Sequence, residues 1–392
     1  MFSRRLVMAS ALATLAAGGA ARAQGGPPDV VRIPVRQNFG RLWTVVRING
    51  GEPVRFMIDT GADGYVVDAG VAQQLGLKPS LPAEVAGVVS SKGVRGFWTP
   101  KIVIGDAFAD QDVYMFGADF EDFIKGALPG WLLQAYKSEL DFQAGELRLY
   151  PSGGPDLTGY EAVKLIHRER VGAVGGGALQ PKRIRDPQML INVELDGHTL
   201  RVVLDTGAPS ILTLFPYANR GLGLWKQDGA RDVGGAGVSG AYRGRQVRAD
   251  SLKIGGSEIK APVVTLVDPT RTNYMDVDGL LGLDALRRFN LSIDAAGGKL
   301  WLKPNGAFNM AQRIDRSGLE GYSRQGKIHV EGVVAGSAAE KAGLKAGDVI
   351  DPPGGTAAFW WSLEGAPGEV IEFTTQRDGQ AAPTRLVLKD VV

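Results

Sequence analysis

The 392-residue sequence contains no cysteine and only three histidines. No disulfide can staple the fold, so the chain must be held by its hydrophobic cores. His167, His198 and His329 lie far apart and form no HExxH-type pair, so the pattern offers no metal site. A serine–histidine nucleophile is not excluded by spacing, but no motif points to one. Charge of one sign is also missing: 44 basic residues stand against 42 acidic ones. That balance removes the electrostatic case for nucleic acid as a partner. Arg231, Arg243, Arg245 and Arg248 cluster locally and read as a solvated strand or loop face, with a phosphate site as the minor alternative. Long apolar runs are absent as well. The longest, residues 6–20, is too short and too glycine-rich to favour a membrane span.

What is present begins at that run. Arg4 and Arg5 precede it and Ala21-Arg22-Ala23 follows, the layout of an export signal over residues 1–23. The arginine pair fits a twin-arginine signal or a plain basic leader. The expectation is a periplasmic or secreted mature chain without an integral membrane segment. Hydrophobic residues make up 44% of the sequence, enough for ordinary cores.

A repeat organises the next part. Residues 55–68, RFMIDTGADGYVVD, place Asp59 at the end of an apolar strand, and residues 201–214, RVVLDTGAPSILTL, do the same with Asp205. Upstream of each aspartate the pattern reads strand, turn, strand, with Asn49-Gly50-Gly51 at one turn and Asp196-Gly197 at the other. Downstream, residues 71–77 and 218–224 each read as a short helix ending in Leu-Gly-Leu. Glycine-punctuated stretches follow at residues 85–98 and 233–244. Residues 126–150 and 278–302 then close each half with a Gly element, a short helical run and two strands. Duplicated, strand-rich halves with one aspartate each predict a pseudo-dimer whose carboxylates meet at the interface.

Asp59-Thr60-Gly61, Asp205-Thr206-Gly207, Leu128-Pro129-Gly130 and Leu280-Leu281-Gly282 resemble the pepsin/retropepsin-like aspartic proteases over roughly residues 29–304. The resemblance implies a mainly β fold: two homologous β-lobes, residues 24–150 and 151–304, around an interlobe cleft. It implies Asp59 and Asp205 as catalytic residues and Thr60 and Thr206 as a cross-brace. Gly61 and Gly207 let the backbone approach the carboxylates closely. Paired carboxylates cannot both ionise comfortably, so they share one proton; this is the established pattern of aspartic proteases. Polypeptides are the implied substrates, with no metal or cofactor. Ala62, Asp63, Ala208, Trp98 and Tyr242 are the candidate substrate-binding positions. Asp63 also fits a structural ion pair, and Trp98 and Tyr242 fit core positions equally well. Residues 85–98 and 233–244 are the candidate flaps, the first preferred. Asp284 reads as a helix cap. Pro129 departs from the family pattern: it lacks an N–H and fixes φ, so the loop supporting Asp59 is expected to differ from its counterpart.

Residues 305–392 change character. Residues 326–350 read as strand, turn, short helix and Ala-Gly-Leu-x-x-Gly-Asp-x-Ile, and residues 368–388 as a hairpin around Asp378-Gly379. This resembles a bacterial PDZ domain, which implies peptide or C-terminus binding by strand addition. Residues 317–322 are the one candidate for its carboxylate loop. Trp360 and Trp361 read as core, with groove capping as the alternative. The linker, residues 303–318, reads as a semi-independent joint. Two rivals to the peptidase reading stay open, a catalytically silent peptide-binding scaffold and a glycosidase with paired carboxylates.

Overall fold

The computed structural model describes residues 29–86, 91–120, 123–174, 180–185, 188–237, 240–270 and 276–390; the leader at residues 1–23 lies outside them. Half of the chain is strand and 11% is helix.

Each half starts from the expected hairpin. Arg41–Ile48 pairs antiparallel with Val54–Asp59, and Leu190–Leu195 with His198–Asp205. Both turns hold two consecutive residues in left-handed backbone; Asp196-Gly197 alone joins its strands, while Asn49-Gly50 opens a longer connection, residues 49–53. Asn49-Gly50 supplies φ of 50° and 75°, and Asp196-Gly197 supplies 48° and 81°. Along Val54–Asp59 the side chains alternate: Phe56 and Ile58 are fully buried, while Arg55, Met57 and Asp59 share the other face. Two such buried side chains contribute on the order of 4 kcal/mol of transfer free energy, which anchors the strand that carries the aspartate.

A third strand threads through each hairpin-derived motif. Gly126–Pro129 runs parallel to Val54–Asp59 and antiparallel to Tyr65–Asp68, lying between them in an eight-stranded sheet. Gly279–Gly282 lies in the same way between His198–Asp205 and Leu212–Leu214 in a nine-stranded sheet. Each aspartate therefore ends a strand that is paired on both sides.

The halves share a six-stranded sheet. Lys137–Asp141 from the first pairs with Phe289–Asp294 from the second, with Ser138 opposite Ile293 and Leu140 opposite Leu291. One continuous apolar cluster, including Phe56, Leu140, Leu291 and Leu204, runs through both halves. Glu169–Val174 and Gln180–Arg185 form a separate two-stranded hairpin that sequence patterning did not indicate.

Residues after the second half build a five-stranded sheet from Leu319–Arg324, Lys327–Val333, Val349–Asp351, Val370–Arg377 and Gln380–Val387. Helices Ala338–Lys341 and Thr356–Ser362 accompany it. Its apolar cluster is its own, built on Leu319, Ile328, Ile350, Phe359 and Leu386.

The linker is not a loose joint. The Gln312 side chain bonds both the N–H and the C=O of Val263, at 2.8 and 2.7 Å. Buried Arg288 donates to the carbonyls of Phe308 and Met310 at 2.7 and 2.8 Å. A tether bonded along its length holds the C-terminal module against the second half.

Candidate active site

Asp59 and Asp205 end their strands at the seam between the halves. In each case one carboxylate oxygen accepts two backbone N–H groups from the following turn. Gly61 and Ala62 donate to Asp59 Oδ1 at 3.0 and 3.1 Å. Gly207 and Ala208 donate to Asp205 Oδ1 at 2.9 and 3.1 Å. These bonds fix the carboxyl planes and leave the second oxygens for each other and the cleft.

The threonines cross. The Thr60 N–H donates to Thr206 Oγ1 at 3.1 Å, and the Thr206 N–H donates to Thr60 Oγ1 at 3.0 Å. Each hydroxyl in turn donates to the opposite strand: Thr60 to the Leu204 carbonyl at 2.7 Å, Thr206 to the Ile58 carbonyl at 2.6 Å. Both threonines are buried. Four hydrogen bonds in a dry site bind the two loops to one another, since breaking any leaves a buried polar group unpaired.

Glycine follows from the same closeness. A Cβ on Gly61 would lie 2.7 Å from the Asp205 carboxyl carbon, and one on Gly207 would lie 2.6 Å from that of Asp59. Any side chain at either position would drive the two carboxyls apart.

The electrostatics separate the pair. Burial raises the Asp59 carboxyl well above its ordinary value, and the charge on Asp205 and a hydrogen bond with it add to the shift. Burial raises Asp205 as well, but the bonds from Gly207, Ala208 and Asp59 oppose the rise. The pair therefore shares one proton: one carboxyl stays protonated while its partner ionises, and the two titrate as a unit.

Other candidate positions fall out differently. Ala62 and Ala208 act through their backbones, as carboxylate donors. Asp63 is exposed, four residues past Asp59. Trp98 is 41% exposed and packs edge-to-face on Tyr114 at 5.5 Å, so it is not core. The Tyr242 side chain lies outside the described residues. Both glycine-rich stretches form hairpins, Lys78–Ala86 with Ser91–Ile104 and Arg231–Gly237 with Gly240–Arg248. Their tips, residues 87–90 and 238–239, are not described. Asp284 is not a cap: buried in the first turn of Leu283–Leu286, it binds Arg287 and Arg288.

The Pro129 departure has a defined consequence. Pro129 lies opposite Asp59 in the parallel ladder, where Gly282 lies opposite Asp205. The Gly282 N–H donates to the Ile211 carbonyl, a bond that proline cannot make. Gly130, one residue on, donates instead to Ala62 O at 3.3 Å, matching the Leu283 bond to Ala208 O at 2.7 Å. The two loops therefore match residue for residue, and the first has one fewer hydrogen bond.

Sequence reasoning also missed Gln188, whose side-chain amide donates to Gly61 O at 3.3 Å from the second half. It missed Trp361 too. That residue is not core of the C-terminal module: its ring lies 3.3 Å from the Cβ position of Gly40 in the first half. No periodicity encodes contacts between segments so distant in the chain. Trp360 packs on Phe359 and donates from Nε1 to Ser323 Oγ at 3.0 Å. In the candidate carboxylate loop, the N–H groups of Ser317 and Gly318 already donate to Asp315, at 3.0 and 3.1 Å. No group of three or more histidine, cysteine or acidic residues suited to a metal occurs among the described residues.

A two-lobed β fold with one carboxyl pair at the lobe seam is the class that this geometry defines. Two segments, residues 44–120 and 191–285, each match the aspartyl protease family. Among solved structures the chain is similar to an aspartic proteinase from Irpex lacteus, at 11% identity and a TM-score of 0.42, over 72% of this chain and 99% of that one. It is also similar to a retropepsin-like aspartic protease from Rickettsia conorii, at 23% identity and a TM-score of 0.24, over 31% of this chain and 90% of that one. No curated protein matches the chain.

Proposed function

We propose that this protein is an aspartic peptidase in which Asp59 and Asp205 activate one water against a peptide bond. The crossed threonine bonds carry the reading, because they hold two carboxyls in hydrogen-bond contact, a costly arrangement with no evident structural benefit. Ionised Asp205 takes a proton from the attacking water. Protonated Asp59 donates to the scissile carbonyl as charge develops on its oxygen; on collapse the proton that Asp205 took from the water passes to the leaving nitrogen, and Asp59 regains its own from the hydroxyl. No covalent intermediate forms on the protein. A seam between two lobes suits a chain lying across it, which favours endopeptidase action on polypeptides, with the two hairpins closing over it.

Two further parts belong to the same proposal. The C-terminal module is a PDZ-like unit, and peptide binding by it is tested by titrating C-terminal peptides against the isolated full chain. The leader at residues 1–23 directs export to a periplasm, which cell fractionation tests.

The decisive experiment is cleavage of a peptide library with and without a statine-type inhibitor, repeated with Asp59→Asn and Asp205→Asn. Inhibition by the statine and loss of cleavage in both variants support the assignment. Cleavage within tenfold of the parent in either variant overturns it.

A further inference from the structure

The two ends of the lobe seam are related by the repeat yet built differently. At one end Gln188 of the second half reaches the Asp59 turn through Gly61 O. At the other, Gly40 of the first half reaches the Asp205 turn: its Cβ position lies 3.8 Å from Pro209 Cβ. Pro209 directly follows Ala208, whose N–H binds Asp205. Against that second end stands the C-terminal module. Trp361 lies 3.3 Å from the Gly40 Cβ position, so the ring packs closely over a turn whose left-handed φ of 68° favours glycine.

Trp361 is held there from behind. The Arg313 guanidinium stacks 3.8 Å from its ring centroid, and Arg313 Nη2 donates to its carbonyl at 2.6 Å. The module is also pinned to the second half beside the hairpin: Asp315 pairs with buried Arg231 of Arg231–Gly237 at 2.9 Å. An aromatic side chain fixed by a stacked cation and a bonded backbone has little rotamer freedom left, which suits a rigid wall.

We propose that the C-terminal module caps one end of the interlobe cleft, with Trp361 as the wall of the last subsite on that side. The proposal rests on the peptidase reading and deepens it. Substrates are then peptides cleaved a few residues from one terminus, because an extended chain advances about 3.3 Å per residue and meets the wall. A substrate continuing past it must turn out of the cleft and forfeit contacts.

The test is a nested set of peptides sharing one scissile bond, lengthened one residue at a time on each side, cleaved by the full chain. Within each enzyme, kcat/KM is compared between lengths. The parent should show a fall of at least tenfold beyond a fixed length on one side only, and Trp361→Ala should abolish that fall or move it outward. Identical length profiles in the parent and the variant overturn the proposal. A second readout needs no variant: a peptide-like inhibitor with a benzophenone at its capped-side end should label Thr356–Ser362 in the parent. Labelling confined to the lobes overturns it. The dyad is separable from the wall, since cleavage retained in Asp59→Asn with the same one-sided break would remove the dyad and leave the wall.

Discussion

Thr60 and Thr206 each donate a backbone N–H to the other's hydroxyl across the lobe seam, at 3.1 and 3.0 Å. Neither loop can therefore hold its aspartate in place alone. Replacing Thr206 by Val removes the donor to Ile58 O and leaves the Thr60 N–H buried without its partner. The expected loss is on the order of 3 kcal/mol, read by denaturant unfolding. Thr206→Ser retains both bonds and should lose less than about 1 kcal/mol. Equal losses for the two variants would show that the hydroxyl bonds are not what holds the seam.

The dyad should destabilise the fold at neutral pH. Both carboxyls are raised in the folded state from an ordinary value near 3.8, chiefly by burial. The folded protein thus binds protons more tightly than the unfolded chain. Its stability falls as pH rises from the ordinary value through the folded one. Asp59→Asn removes one of the two titrating groups and its repulsion on the other, so its melting temperature should match or exceed the parent's at pH 7 and change less between pH 4 and 7. A melting temperature that drops at pH 7 would contradict the assignment.

Gly207 tests the closeness of the two carboxyls. A methyl group there would lie 2.6 Å from the Asp59 carboxyl carbon. Gly207→Ala should lower kcat on a short peptide by at least about a hundredfold, since a displacement near 1 Å has effects of that size. Far-ultraviolet circular dichroism should remain that of the parent. Activity near the parent's would mean that the carboxyls are not in contact.

Docking of the C-terminal module should weaken with rising pH. Glu364, just past Thr356–Ser362, is pushed up to about 7 by burial and by Asp315 and Asp284, against the pull of Arg313 and Arg41. A raised carboxyl stabilises the docked state below that value and loses the effect as pH rises through it. Hydrogen exchange in residues 356–364 should therefore quicken from pH 6 to 8, after correction for the intrinsic rate. Glu364→Gln should remove the change.

Truncation asks whether the module acts on the cleft. Removing residues 316–392 strips Trp361 from Gly40 and leaves Asp315, the partner of Arg231, at the new chain end. Turnover of a short peptide should change along with the KM for a protein substrate. An unchanged short-peptide kcat would make the module a separate binding unit instead.

Much of the fold was legible because it is local. The Asn49-Gly50 and Asp196-Gly197 turns, the alternation of Phe56 and Ile58 with Arg55 and Met57, and the apolar strands before each aspartate obey short-range rules of period and backbone conformation. Repetition of the motif then tied Asp59 to Asp205 without any structure. The crossing of Thr60 with Thr206 entered only through the family resemblance, and tertiary structure supplied its bonds. Tertiary structure alone decided the raised state of Asp59, because desolvation depends on what packs around a group. It alone decided the rest as well: the missing hydrogen bond at Pro129, Asp284 as an ion-pair partner of Arg287 and Arg288, the bonded linker, and Trp361 against Gly40. Those contacts join residues far apart in the chain, where no periodicity reaches and only the three-dimensional packing of the lobes and the module sets who meets whom.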